Sequence, residues 1–284
     1  MKLAVRLFEG ALIGAGAVLP GISGGVLAVL FGLYQPLMLL LSDPAGQMKA
    51  TIRGLWPVLL GAVAGYIGIA RGLGGLLSGP WRYHALAAFV GMTVGMLPSL
   101  LAQAGERGRP RSAWMAFAAV LLLGSGLLFM ADRTQALITP GFGWNMFCGV
   151  ALAMSIIVPG MSTSVVLMPL KVETPRHQMI DLYTHTMYAI KQLDLMALSA
   201  VVLGATLTIL LLSRAVARLM TRHYAAVFHG IVALVIASTA FVGIGLVRDA
   251  GAAFGRGHII CFLMGMIVTL VLEQFNARIR NTAT

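Results

Sequence analysis

The chain has 284 residues, of which 59% are hydrophobic and only 10% charged, with a mean hydropathy of +0.91. Charged residues make up about 25% of an ordinary soluble domain, so this composition excludes a soluble globule and identifies an integral membrane protein. The formal net charge of +11 lies in short loops between apolar runs, where it sets topology and meets anionic membrane lipids; no nucleic-acid partner is expected.

Lys2 and Arg6 precede the first apolar run, Leu7 to Leu41, in the manner of a signal peptide. No Ala-x-Ala site follows before the next apolar block, so residues 1 to 19 are expected to remain in the protein. The run is interrupted by Ala17-Val18-Leu19-Pro20-Gly21-Ile22-Ser23-Gly24-Gly25. Proline removes a backbone donor and glycine strips the shielding side chain, so a continuous helix is not expected through this patch. In hydrocarbon such a break survives only where protein or a water-filled cavity surrounds it. Further runs follow at about Leu55 to Ala70, Ala85 to Ala102, Ala113 to Ala131, Phe142 to Leu170, Leu193 to Leu212, Ala225 to Val247 and Ile259 to Leu272. Most approach the roughly 20 residues that cross a bilayer.

The first patch has a second copy. A gapless shift of 139 positions lays Pro20, Gly21 and Ser23 on Pro159, Gly160 and Ser162, within Val158-Pro-Gly-Met-Ser-Thr-Ser164. The same shift pairs Phe8 with Phe147, Gly10 with Gly149, Gly65 with Gly204, His84 with His223, Phe89 with Phe228, Gly91 with Gly230 and Ser99 with Ser238. The expectation is one polytopic domain over 1–284 with internal repeats at about 7–103 and 146–242. Matching Gly/Pro-interrupted segments in two halves point to a transporter's binding site.

Each patch is expected to split its run into half-helices of roughly ten residues, suited to re-entrant hairpins rather than spans. With both patches re-entrant and the N-terminus cytoplasmic, the lysines and arginines divide 12 inside and 8 outside. With both crossing once they divide 10 and 10, and the positive-inside bias disappears. The hairpin arrangement also leaves three crossings between the copies, which inverts one repeat relative to the other. The fold class expected is therefore an all-α membrane protein with an inverted-topology repeat and two re-entrant hairpins carrying Pro-Gly-x-Ser tips.

Glycines, hydroxyls and a half-helix N-terminus at each tip suit a phosphate or carboxylate. The candidate ligand residues are Pro20, Gly21, Ser23, Gly24 and Gly25 in the first patch and Pro159, Gly160, Ser162, Thr163 and Ser164 in the second. Helix-packing kinks are the alternative for one copy; the duplication favours a site. Arg71 and Arg214 end apolar runs and either snorkel or reach a phosphate. His84 and His223 are interfacial residues, headgroup contacts or proton acceptors, and Glu9 is a near-interface or proton-coupling carboxylate. The polar stretch Lys171 to Asp194, with Glu173, His177, Asp181 and His185, reads as a solvated loop or interfacial helix rather than a metal site. Cys148 and Cys261, inside apolar segments, read as packed inert thiols. No catalytic residue, metal or cofactor is assigned: no Walker lysine follows the glycines, and no base accompanies the tip serines.

Gly10-Ala-Leu-Ile-Gly-Ala-Gly-Ala-Val-Leu-Pro-Gly-Ile-Ser-Gly-Gly-Val-Leu-Ala-Val-Leu-Phe-Gly-Leu-Tyr34 resembles the opening motif of the bacterial polyprenyl-phosphate transporter family, formerly a domain of unknown function. Ile157-Val-Pro-Gly-Met-Ser162, and Leu212-Ser-Arg214 through Phe228-His-Gly230, are similar to its second motif and closing helices. The resemblance covers about Leu7 to Ser238. It implies a multi-pass protein of the bacterial inner membrane that returns undecaprenyl phosphate from the outer to the cytoplasmic leaflet for reuse in cell-wall synthesis. Association as a homodimer is compatible with it. The family usually carries an acidic residue where this chain has Ala17, and a Ser-Gly-Ser tip where it has Ser162-Thr163-Ser164. The competing activities are an undecaprenyl-pyrophosphate phosphatase, which would carry a glutamate-rich motif and an Arg-Ser-Gly run that this sequence lacks, and a small-anion transporter.

Overall fold

The computed structural model describes residues 2–19, 27–28, 31–33, 48–133, 141–158, 161–173 and 179–282. Among them the chain is helical apart from one two-stranded hairpin. The order is α1 (Lys2–Val18), α2 (Met48–Leu77), α3 (Arg82–Gly105), α4 (Arg111–Arg133), α5 (Phe142–Ile157), α6 (Thr163–Leu167), β1 (Lys171–Glu173), β2 (Met179–Asp181), α7 (Leu182–Gln192), α8 (Leu195–Arg222), α9 (Tyr224–Ala250), a 3-10 turn at Gly251–Ala253, and α10 (Arg256–Thr282).

Among the described residues, six segments are long and apolar enough to cross a membrane: Gly54–Leu77, Arg82–Gly105, Arg111–Met130, Leu195–Arg222, Tyr224–Ala253 and Arg256–Gln274. They coincide with the six uninterrupted apolar runs of the sequence. The seventh, Phe142 to Leu170, is broken as expected: α5 stops at Ile157 and the five-residue α6 begins at Thr163. The segments before the breaks are longer than the expected ten residues, at 17 for α1 and 16 for α5. Each continues until the proline that removes the next backbone donor.

Lipid tails are as apolar as leucine, so these helices associate through close packing rather than water exclusion. α1 lies along α2 with glycine at the contact: a Cβ on Gly10 would strike the Val58 carbonyl, and one on Gly14 that of Ala62. In return, a Cβ on Gly61 or Gly65 would strike the carbonyls of Leu7 and Ala11. The order of these contacts makes α1 and α2 parallel, so the end of α1 and the start of α2 lie at opposite ends of the pair. α5 and α8 pack through Gly149 against Val201 and Gly204 against Met146, and they too are parallel: Cys148 shares a cluster with Leu198 and Val201, Val158 one with Val216. α3 lies parallel to α10, with Gly91 against Phe262 and, one turn on, Gly95 against Met266, and α4 packs on α9. The outward faces are apolar, with Leu122, Leu123, Leu127 and Leu211 all at least 70% exposed, as lipid contact requires.

Of the two readings of Lys171 to Asp194, a helix forms over Leu182–Gln192, and the solvated loop is corrected. Within it β1 and β2 pair antiparallel, Lys171 opposite Asp181, and α7 is not solvated: Leu182, Tyr183, Thr184 and Met187 are fully buried. Its apolar face joins Val18, Leu73, Leu77, Phe89 and Leu167 in one core cluster, and its hydroxyls bond locally, Thr186 to the Leu182 carbonyl at 2.9 Å. A second cluster joins Met96, Leu100, Val158, Val165, Phe228 and Val235 around the second break.

Close backbone approach generates a stability prediction. Gly61→Leu is expected to separate α1 from α2 and cost about 1–3 kcal/mol or more, the range for overpacking, whereas Gly68→Ala on the same helix meets nothing within 4 Å and is expected to be neutral. Thermal unfolding of the two variants in detergent checks the contrast; equal midpoints would contradict the packing.

Candidate functional site

Pro20, Gly21, Ser23, Gly24 and Gly25, with Pro159 and Gly160, lie outside the described residues. What flanks them is described. α1 ends at Val18, whose last carbonyls have no partner within the helix. The phenol of Tyr183 on α7 donates to the Val18 carbonyl, so the second half of the chain caps the helix that leads into the first patch. Tyr183 is itself fully buried, edge-on to Phe89 with ring centroids 6.4 Å apart.

α7 is held in turn at its own start. Asp181 accepts from the Thr184 amide at 2.7 Å and from the Thr184 hydroxyl at 2.8 Å, and faces Arg82 at 3.9 Å. Burial pushes its carboxyl above the ordinary aspartate value; the Thr184 bonds and the Arg82 charge oppose that shift. His185, also on α7, is pushed down by burial against the opposing pull of Asp194.

At the second patch Ser162 opens α6 in extended backbone, φ −111 and ψ 142. Ser162, Thr163 and Ser164 are buried, and their hydroxyls are engaged. Ser162 Oγ lies 2.8 Å from Ser164 Oγ, and Thr163 Oγ1 lies 2.8 Å from Ser155 Oγ. Ser155 spends its one proton on the Leu152 carbonyl at 2.7 Å, so Thr163 is the donor in that pair. Ser164 also faces a cavity of about 20 Å³, shared with Thr93, Ser238 and Thr239. That volume holds about one water, so a phosphate enters only if α3, α6 and α9 separate.

Arg71 and Arg214 do not end their helices. α2 continues to Leu77 and α8 to Arg222, and both arginines are exposed on those helices. Their depth is informative. The spacings that set Gly14 against Ala62 and Gly65 against Ala11 carry Val18 level with residues 66 to 72 of α2, the turn that bears Arg71. Likewise, the spacings at Gly149–Val201 and Met146–Gly204 carry Val158 level with residues 210 to 216 of α8, the turn that bears Arg214. Each half therefore places a guanidinium at the depth where its Pro-Gly patch begins.

The histidines matched by the repeat part company. His84, in the first turn of α3, stacks on His258 with centroids 4.1 Å apart and meets Trp81 edge-on; its Nδ1 is buried without a partner. His223 is exposed at the junction of α8 and α9. Glu9 pairs with Arg6 at 3.3 Å on the surface of α1. Among the described residues, no three His, Cys, Asp or Glu side chains are grouped to hold a metal. Cys148 is buried and Cys261 half-buried, both as free thiols.

Sequence reasoning missed Tyr183, Asp181 with Arg82, and the hydroxyls of Thr93 and Thr239. Their roles come from contacts across the fold, and the 139-residue match signals only Ser238.

A family model, VCA0040-like, described as undecaprenyl phosphate translocase-like, matches residues 2–107 and 109–245. No curated protein and no solved structure matches the chain.

Capping of α1 by α7 sets a further expectation. Tyr183→Phe leaves the Val18 carbonyl buried and unpaired and should destabilise by about 1–3 kcal/mol. Tyr188→Phe, at an exposed position of the same helix, should not. A calorimetric or fluorescence melt of both variants tests this, and an unshifted Tyr183→Phe midpoint would remove the cap from the account.

Proposed function

The chain belongs to the VCA0040-like family, and from that membership we propose that it translocates undecaprenyl phosphate, returning the lipid from the outer to the cytoplasmic leaflet of the bacterial inner membrane without cleaving it. The observation that carries the reading is that the family match runs through both Pro-Gly patches and nearly all of both proposed repeats. The headgroup is taken by the two tips, through Pro20, Gly21, Ser23, Gly24 and Gly25 on one side and Pro159, Gly160, Ser162, Thr163 and Ser164 on the other. Arg71 and Arg214 supply charge at the same depth.

Helix directions support an inverted repeat. α2–α3, α3–α4, α8–α9 and α9–α10 are joined by connections of one to five residues, too short to recross a bilayer, so each pair alternates in direction. Combined with parallel α1–α2, α3–α10 and α5–α8, this sets each of α1, α2 and α3 antiparallel to its sequence match, α5, α8 and α9. Partner exchange follows the same two-fold logic: α3 of the first half packs on α10 of the second, and α9 of the second on α4 of the first. Parallel α1 and α2 also support a first patch that turns back toward its side of entry. In such a scaffold two halves rock about a midplane site to alternate access.

A charge at the bilayer centre costs at least about 2.5–3.5 kcal/mol on insertion scales, so unassisted flipping of a phosphate is slow. Arginine at tip depth and the hydroxyls around Ser162 lower that barrier by replacing water. Glu9, His84 and His223 remain the proton-coupling candidates, with activity then varying across the histidine range.

Purified protein in liposomes, followed for leaflet accessibility of polyprenyl phosphate and for free phosphate together, tests the activity. Acceleration over empty liposomes without phosphate release is expected. Release from the pyrophosphate form would indicate a phosphatase, and no acceleration would remove the translocase reading. Arg71→Gln or Arg214→Gln should slow transport about tenfold or more, the value of a lost charge-assisted bond.

Topology is tested separately. A Cβ on Gly75, near the end of α2, would lie 3.2 Å from Lys191 Nζ, whereas Lys49 lies at the start of that 30-residue helix, about 39 Å away along its axis. Cysteines at Lys49 and Lys191 should therefore label from opposite sides of the membrane. Labelling from one side would sink the arrangement.

A further inference from the structure

Between α3 and α9 lies a groove of about 720 Å³. Its walls include Val94 and Leu97 of α3 and Ile236, Ala240, Ile244 and Val247 of α9. The α9 residues recur every three to four positions and form one stripe along the helix. Two features break the apolar lining. At the end nearer the α9 C-terminus stands Arg248, and partway along, Thr239 and Val90 belong both to the groove and to the hydroxyl cavity beside Ser164. From Arg248 to Thr239 is nine residues, about 14 Å along the axis.

We propose that this groove receives the apolar chain of the phosphorylated polyprenyl lipid, with its phosphate held first at Arg248 and its chain directed toward the middle of the bilayer. The inference rests on the reading above that a polyprenyl phosphate is the cargo, and it adds the entry site. Arg248 holds the Asp132 carboxylate with two parallel bonds of 2.8 and 3.1 Å. A phosphate presents the same two-oxygen edge and can take that fork in exchange. Asp249 sits between Arg248 at 3.4 Å and Lys171 at 3.1 Å, so a second cation adjoins the rim. These four charges balance. An incoming phosphate therefore gains by replacing Asp132, whose side chain reaches the surface, rather than by unopposed attraction.

The chain itself moves from hydrocarbon to hydrocarbon, so the groove contributes orientation and close contact rather than hydrophobic free energy. Orientation is what entry requires. A lipid lying along the α9 stripe has its headgroup on a line from Arg248 to Thr239, and that line ends at the cavity wall formed by Ser164. Separation of α3 from α9 would open both compartments together, since Val90 and Thr239 line each.

The test uses the full chain in liposomes with two probes, a polyprenyl phosphate bearing a photoreactive diazirine in its chain and a phosphatidylglycerol bearing the same group. Crosslinks should map to the α3 and α9 walls with the polyprenyl probe, and unlabelled polyprenyl phosphate should compete them away. Equal labelling by the phosphatidylglycerol, uncompeted, would make the groove a site of bulk lipid and overturn the proposal. Gly243 supplies the variant: a Cβ there meets Val90 Cγ1 at 3.7 Å, an ordinary contact, whereas Gly245 faces open space. Gly243→Leu should fill the groove and lower both labelling and transport about tenfold, while Gly245→Leu should leave both unchanged. Transport by Gly243→Leu equal to the unmodified chain would refute the groove and leave the translocase reading standing. Failure of the unmodified chain to transport would fall on that reading alone, because competed labelling of the groove is read independently of transport and needs no variant to fold.

Discussion

A helix that stops inside a membrane leaves carbonyls with no water to satisfy them, and most of this structure answers that constraint. α1 stops at Val18 because Pro20 supplies no N–H. Among the described residues a phenol 165 residues further on, Tyr183, donates to the Val18 carbonyl. For that phenol to reach, α7 must be buried, although its sequence carries Thr184, His185 and Thr186. Its own polarity is absorbed by the Asp181 cap and by a bond back to the Leu182 carbonyl. At the second break the partners among the described residues are local: Ser155 pairs with Thr163 and Ser162 with Ser164, and the Met161 amide donates to the Val158 carbonyl at 3.2 Å. The two breaks are thus equivalent in sequence but are held differently.

Close packing gives the breaks a fixed frame. With no hydrophobic drive between helices in lipid, contact area comes from backbone approach, and glycine is what permits it. The α1–α2 and α5–α8 seams are built this way, and four of the repeat-matched glycines, Gly10 with Gly149 and Gly65 with Gly204, lie in them. Part of the repeat signal is therefore a packing signal. The frame differs between halves in one respect. Gly10 meets Val58, whose match by the 139-residue shift is Ala197, yet Gly149 meets Val201, one helical turn further along α8. By that measure Arg214, not Leu210, is the structural counterpart of Arg71, which is why the gapless sequence match does not pair the two arginines.

Legibility in the sequence followed the range of the interactions. The six spans were readable from composition, because length and hydropathy alone decide whether a helix can cross. Both breaks were readable from proline and glycine, whose effects are local. The stretch from Lys171 to Asp194 was not, since polar residues there are buried against partners on α1, α3 and α5 that no window of sequence contains. Arg71 and Arg214 were recognised as candidates at the ends of apolar runs; only helix continuation to Leu77 and Arg222 reveals their depth. His84 and His223 look equivalent until His258, which has no part in the repeat, is found stacked on the first.

The charge balance of the described residues bears on how a phosphate would be handled. Carboxylates cluster toward the faces: Glu9 with Arg6, Asp132 and Asp249 with Arg248, Asp181 with Arg82. The positions flanking the breaks carry hydroxyls, glycines and, at matching depth, arginine, and the residue three places before Pro20 is the neutral Ala17. An anion entering from the rim passes from a zone of paired carboxylates and cations to one lined by hydroxyls and glycines. A charge brought to that depth costs at least about 2.5–3.5 kcal/mol on insertion scales, so hydroxyl donors, exposed backbone and arginine at the same level are the groups able to offset it.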